Sequence, residues 1–214
     1  TAEQVGTPIA AGDISIEPAL EFTAQWRDRQ TLVIETGGKL VGSTAYRVKT
    51  LGALATLTKG YEFSFIHQPL VVYGVTSRRK DSLPTRGEFA LAFNQDVNAA
   101  DVATHCHLLT ENQAKLPVVI ADGQTKSDVI VLRAKDALTK NTSYRMSCRG
   151  LAGAAGPAPM VGEYLEIIKT RPDFAITETS PTGGSEVDPD ETTVELTFST
   201  PVSLEAIRKA ITTT

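Results

Sequence analysis

An all-β protein made of antiparallel β-sandwich modules in tandem is the fold class this sequence predicts, and three observations predict it. Short runs alternate apolar and polar residues with a period of two, as in Tyr61 to Phe65, Glu88 to Phe93, Leu165 to Ile168 and Thr193 to Phe198. That period is the mark of strands with one buried face. Runs with helical spacing are few and short. The pattern Leu-x-x-x-Thr-x-Tyr occurs at Leu40, Thr44 and Tyr46 and again at Leu138, Thr142 and Tyr144, a constant spacing of 98 positions from 40 to 138. One module therefore runs to about a hundred residues, the ordinary size of a domain.

The spacing extends beyond the pattern. Leu32-Val33-Ile34 corresponds to Ile130-Val131-Leu132, Arg47 to Arg145 and Gly52 to Gly150. A second block, Phe93-Asn94-Gln95-Asp96-Val97, recurs as Phe198-Ser199-Thr200-Pro201-Val202, and Val5-Gly6-Thr7-Pro8-Ile9 resembles both more loosely. The middle copy then reads, in order, an opening strand near Val71 to Val75, this block, a strand over Asp128 to Leu132, the Leu-x-x-x-Thr-x-Tyr strand and a closing strand near Tyr164 to Lys169. This phasing predicts a sandwich lacking its first strands over 1–69, a complete one over 70–172, and the opening strands of a third over 173–214. The junctions fall at His67-Gln68-Pro69 and Thr170-Arg171-Pro172, short and proline-bearing, so neighbouring modules are expected to be held semi-rigidly. Helical expectations are limited to a turn over Ala99 to Thr104 and a short helix over Leu204 to Ala210, with Ser203 as its N-cap.

Composition narrows the functional classes. Of 214 residues, 41% are hydrophobic, enough for sizeable cores. The 21 basic and 25 acidic residues are scattered, leaving a net charge of −4 and no electrostatic footprint for nucleic acid. No apolar run approaches the roughly 20 residues that span a bilayer, and Thr1-Ala2-Glu3-Gln4 has none of the parts of a signal peptide. The two cysteines, Cys106 and Cys148, form an even pair inside one module, which suits an oxidising compartment without demanding one.

The block Phe-Ser-x-Pro-Val, a strand, Leu-x-x-x-Thr-x-Tyr, a Gly-rich loop and a closing strand resembles bacterial Ig-like domains. The stretch Ile14-Ser15-Ile16-Glu17-Pro18-Ala19-Leu20, then Gln25 to Leu32, then Leu40 to Val48, is similar to the N-terminal region of bacterial alpha-2-macroglobulins. The resemblance implies a tandem of Ig-like or macroglobulin-like sandwiches in an exported, periplasmic or outer-membrane-associated protease trap of the host-defence kind. That family's reactive element is a Cys-x-Glu-Gln thioester, and neither cysteine here is followed by Glu-Gln: Cys106 precedes His107-Leu108-Leu109 and Cys148 precedes Arg149-Gly150-Leu151. Glu3-Gln4 has no cysteine before it. The expected role is architectural, with no catalytic residue, cofactor or metal, and with other domains of a larger protein as partners. Target proteases would be met through regions outside this sequence. The competing expectations are Ig-like stalk or adhesion modules of a cell-surface protein, and accessory sandwiches of a carbohydrate-active enzyme.

The residues that invite chemistry read mostly as scaffold. Tyr46 with Val48, and Tyr144 with Met146 and Cys148, share strand faces, and each tyrosine resembles the tyrosine corner of Ig sandwiches, its hydroxyl reaching a nearby backbone group. Thr44 and Thr142 would hold the turn entering that strand. Cys106 and Cys148 face the core either as a disulfide or as two buried thiols; paired on neighbouring strands, their Cα atoms would lie about 4.5 Å apart, within disulfide reach. His105 and His107 in one strand point away from Cys106, a poor metal site. Gly150, Gly153 and Gly156 join two strands and open no helix, so they read as a turn and not as a phosphate cradle. Asp188, Asp190 and Glu191 form an acidic loop with weak calcium character, and Arg78, Arg79, Lys80 and Asp81 a solvated one. No Ser/His/Asp order sets a nucleophile beside a base. A sandwich short of strands at one end and a tail carrying strands at the other raise the prospect of self-association by strand exchange.

Overall fold

A computed structural model describes residues 5–10, 12–76, 80–186, 188, 193–203, 205 and 208. The segments holding Glu3, Gln4, Arg78, Arg79, Asp190 and Glu191, and most of the expected helix over 204–210, lie outside the described residues.

The fold is all-β, and its strands pair antiparallel. The first sandwich has β1 (Ile14–Glu17), β4 (Thr44–Thr50) and β5 (Glu62–His67) in one sheet, ordered β1-β4-β5, and β2 (Thr23–Trp26) with β3 (Leu32–Glu35) in another. Ile14, Ile16, Ala24, Tyr46, Val48 and Leu54 form its buried core, with Trp26, Leu32, Ile34 and Leu40 packed partly against them. Between β4 and β5 runs α1 (Gly52–Thr58), a helix absent from the helical expectations of the sequence. Its seven residues bury only Leu54, so no apolar stripe advertises it.

The second sandwich contains β6 (Val72–Val75), β7 (Glu88–Asn98), α2 (Ala99–His105), β8 (Cys106–Leu109), β9 (Lys115–Ile120), β10 (Lys126–Ala134), β11 (Ser143–Arg149) and β12 (Glu163–Lys169). Pairing runs β12-β11-β8-β9-β10-β7-β6. β9 belongs to two sheets: Lys115, Leu116 and Pro117 pair with β8, and Val118, Val119 and Ile120 pair with β10. The crossing falls at Pro117, which has no N–H to give and accepts from Lys135 N through its carbonyl at 2.9 Å. This folds the ribbon into two faces, β6-β7-β10-β9 and β9-β8-β11-β12. Between them lie Phe89, Leu91, Val97, Leu108, Ile130, Leu132, Met146 and Ile168, all fully buried.

Four strand readings need correction. The apolar residues of Tyr61 to Phe65 and of Thr193 to Phe198 do not form a buried face, since Tyr61, Phe63, Phe65, Val194 and Leu196 are all exposed. On β12 the inward residues are Glu166 and Ile168, because Ile168 pairs with Tyr144, and Leu165 and Ile167 point to solvent. The Val5 to Ile9 segment does not occupy the position that Phe93 to Val97 holds in β7. Pro8 bridges Gln25, and Gly6 N and Ile9 N donate to Trp26 O and Ala24 O, which places the segment beside β2 and not beside β3.

Beyond Pro172, β13 (Ile176–Ser180) and β14 (Glu195–Phe198) form a hairpin. It repeats the β6–β7 arrangement, with Ile176 opposite Phe198 as Val72 is opposite Phe93. In the first case Asn94 Oδ1 accepts from Val71 N (2.9 Å) and Asn94 Nδ2 donates to Pro69 O (3.0 Å). In the second, Ser199 Oγ accepts from Ala175 N (2.9 Å) and donates to Asp173 O (2.7 Å). Position 94 of the Phe-Asn-Gln block and position 199 of Phe-Ser-Thr therefore tie each hairpin to the linker before it.

Candidate functional site

The repeated tyrosines perform one local task twice. Tyr46 and Tyr144 are buried, and each hydroxyl accepts a backbone N–H five residues upstream, Val41 N in one and Thr139 N in the other, both at 2.9 Å. Leu40 and Leu138 precede those amides, Leu138 buried and Leu40 half-buried. Thr44 Oγ1 donates to Gly42 O at 3.1 Å and Thr142 Oγ1 to Lys140 O at 2.9 Å, closing the same turn. Gly52 and Gly150 follow their strands with φ of 49° and 72°, a left-handed conformation that suits glycine.

Cys106 and Cys148 stand directly opposite each other in β8 and β11 and are joined by a disulfide, with Cα atoms 4.2 Å apart. His105 is not in the strand: it ends α2, where its Nδ1 lies 3.2 Å from Arg149 O. His107, in β8, is half-buried, and burial first and Lys115 second lower its pKa. With Cys106 consumed by the disulfide, His105 and His107 have no third ligand beside them, and no group of three or more His, Cys, Asp or Glu side chains converges among the described residues.

Lys80 is not merely solvated: its Nζ donates to Glu166 Oε1 at 2.9 Å. Glu166 Oε2 accepts from Val75 N at 2.7 Å and from the Tyr164 hydroxyl. The β6 bulge beside Gly74 aims that amide at the carboxylate. Burial opposes the charge on Glu166, but the bonds from Tyr164, Val75 and Lys80 outweigh it and hold the carboxyl below its usual range. Burial and donation to Glu166 push the Tyr164 hydroxyl up. The cluster closes β6 onto β12 across the open end of the sandwich.

A buried polar arrangement lies where the two sandwiches meet, around Ser43. This residue is fully buried and left-handed, with φ 49°. Its N–H donates to Gln68 O (3.2 Å), its carbonyl accepts from Ala158 N (2.6 Å), and its Oγ accepts from Gly153 N and from Gln95 Nε2, each at 3.1 Å. Gln95 Nε2 also donates to Gln68 O at 2.8 Å. One serine of the first sandwich thus binds the linker, the Phe-Asn-Gln block and the glycine loop of the second.

The glycines are there for close approach. A Cβ on Gly153 would lie 2.6 Å from Ser43 Oγ, and one on Gly156 would lie 2.5 Å from Ser43 O and 2.6 Å from Gly42 O. Backbone cannot yield as a side-chain tip can, so Gly156 leaves no room for any other residue. Sequence reasoning recognised this loop as a turn but missed its partner, because a left-handed serine before Thr44 has no pattern to read. Ser43 has its counterpart in Asn141, also left-handed at φ 51°, whose N–H donates to Arg171 O at 2.9 Å. Beside Asn141, Thr142 and Arg145 lies a groove of about 660 Å³ where, around Ser43, a glycine loop is seated.

No protein-family model matches the chain, and no curated protein sequence matches it.

Proposed function

We propose that this chain is architecture: a run of Ig-like or macroglobulin-like sandwiches within an exported, alpha-2-macroglobulin-like protease trap, carrying no reactive chemistry of its own. The observation that carries the reading is the Ser43 junction, in which a buried side chain and two tightly approached glycines lock one sandwich to the next. A protein that must hold and move a bait segment needs fixed angles between its modules, and such a lock supplies them. The strand order fits too, since β6-β7-β10-β9 and β9-β8-β11-β12 follow the two-sheet order of Ig sandwiches. The stretch Ile14 to Val48 supports the macroglobulin assignment over other Ig-like proteins. The Cys106–Cys148 disulfide favours an oxidising location such as the periplasm or cell surface.

On this reading the functional partners are other domains of the same polypeptide, and target proteases engage elsewhere. Incubating the chain with proteases of several classes should leave both small and large substrates fully cleaved. The reading frame around the chain should encode a bait segment or Cys-x-Glu-Gln. Inhibition by the chain alone, or a frame consisting only of repeated sandwiches, would overturn the proposal. The second outcome would favour a surface stalk, which the repetition of the Asn94 clamp at Ser199 also suits.

A further inference from the structure

The outer face of the second sandwich gathers basic side chains around a cavity of about 510 Å³. Its lining includes His105 from the end of α2, His107 from β8, Lys115 and Pro117 from β9, and Arg149 from β11. Strand pairing brings them together. Cys106 stands opposite Cys148, and one step further His105 lies beside Arg149, its Nδ1 3.2 Å from Arg149 O. His107 pairs with Pro117 on one side and with Ser147 on the other, and Lys115 lies two residues from Pro117 on the same face of β9. Four basic side chains from four elements thus surround one cavity, and no carboxylate lines it among the described residues.

The first sandwich shows what balanced charge looks like on such a face. Arg47 and Lys49 of β4 both reach Glu62, at 3.2 and 3.5 Å. In the second sandwich the acid opposite Arg149 is Glu163 of β12, but its Oε1 is engaged by the buried Ser147 hydroxyl, which donates to it at 2.6 Å. Neither Lys115 nor Arg149 forms an ion pair among the described residues. In a chain of net charge −4, unpaired cations converging on a cavity mark a place that attracts an anion.

The donors indicate which anion. Arg149 offers a planar fork and Lys115 a point charge. His105 gives its Nδ1 proton to Arg149 O, so its Nε2 has a proton to donate only when the ring is charged. The charged or titratable groups around His107 are His105 of α2, Lys115 of β9, Arg145 and Arg149 of β11, and Glu163 of β12. Burial first and Lys115 second lower the pKa of His107, with Glu163 opposing them. A bound anion adds to the pull of Glu163 and favours the charged ring. Donors arriving from several sides suit the oxygens of a tetrahedral dianion better than the two of a carboxylate. We propose that this cavity is an oxyanion site that takes a phosphate group, free or as the monoester of a sugar, held by Arg149, Lys115, His105 and His107. This inference does not depend on the protease-trap reading.

The test is a titration of the full chain with sodium phosphate at constant ionic strength, read from the side-chain NMR resonances of its three histidines. His105 and His107 should move along one saturable curve, and His67, on β5 of the first sandwich, should not. Arg149→Gln and Lys115→Gln should each weaken binding roughly tenfold, the loss expected of one charge-assisted hydrogen bond. Arg47→Gln, which removes the same charge elsewhere, should leave binding unchanged. Sulfate, whose own charge is constant over this range, should bind severalfold tighter at about pH 5.5 than at about pH 7.5, because the bound anion favours charged His107. Titration with glucose 6-phosphate distinguishes the sources: tighter binding than inorganic phosphate assigns the site to a sugar-borne group, and equal or weaker binding assigns it to the free ion. Shifts that do not saturate, that His67 shares, or that persist unchanged in both Arg149→Gln and Lys115→Gln would each overturn the proposal, as would sulfate binding that fails to tighten at the lower pH.

Discussion

The two sandwiches share one corner and differ in everything the corner supports. Both hold a buried tyrosine on the same strand, bonded to an amide five residues upstream. The second builds around it a core of strands on both faces, and the first buries an apolar core of six described residues with its aromatic row exposed. The corner is therefore a local device, set by a turn and one strand, whereas closure of the core depends on a hairpin from another part of the sequence. Position by position the contrast is informative. Ile14 stands opposite Thr50 where Cys106 stands opposite Cys148, and Phe63 occupies the strand position of Glu166.

The largest break in this comparison should come from Cys106→Ala with Cys148→Ala. Opening a loop of 42 residues removes roughly 3–4 kcal/mol by the chain-entropy model. Denaturant unfolding followed by amide exchange should show the loss in the second sandwich and leave the first unchanged. Next comes Gly156→Ala, whose methyl must push against Ser43 O and Gly42 O. Overpacking of this kind costs about 1–3 kcal/mol, and the loss should appear as increased exchange at Gly153 and Ala158 without unfolding of either core.

Smaller and more discriminating are Tyr46→Phe and Tyr144→Phe. Each keeps the ring and strands one backbone N–H, of Val41 or Thr139, at a cost of about 1–3 kcal/mol. Equal losses measured for the two would show the corner to be independent of the rest of the core. The smallest effect is electrostatic and confined to the second sandwich. The Glu166 carboxyl is lowered by its bonds, so as pH falls the unfolded chain takes up the proton before the folded one. The stabilisation is complete above the ordinary glutamate range, near about 4.3, and is lost as pH falls through the lowered folded value. Glu166→Gln should flatten that part of the stability profile, read by denaturant titration at several acidic pH values. Phe63, its counterpart in the first sandwich, cannot titrate.

What could be read from the sequence follows the same division between local and distant. The corner residues, the inward-facing cysteines and most strands of the second sandwich are visible because each leaves a pattern of spacing or alternation, whereas β9, broken by Pro117 and shared between two sheets, leaves none. Glu88 to Phe93 points the apolar residues inward as the period predicts, since Phe89, Leu91 and Phe93 are all buried. Leu165 to Ile168 misleads because the inward face includes a glutamate whose charge is satisfied by Tyr164 beside it and by Lys80 and the Val75 amide, 86 and 91 positions away. The Val5 to Ile9 block has the right residues but pairs beside β2, and pairing partners are not encoded in a five-residue match. Ser43 carries no signal at all. Its importance comes from a left-handed backbone and from Gln95 and Gly153, which lie 52 and 110 positions away.

The central claim is that the Ser43 junction fixes the first two sandwiches relative to each other. It is tested most directly by electron-electron distance measurement between spin labels on Leu57→Cys and Val161→Cys. Both positions are exposed, and the native chain has no free cysteine to compete for label. The account predicts a single narrow distance distribution that broadens when Ser43→Ala and Gln95→Ala are introduced. A broad distribution in the chain with Ser43 and Gln95 intact, like that of two domains on a flexible linker, would contradict it.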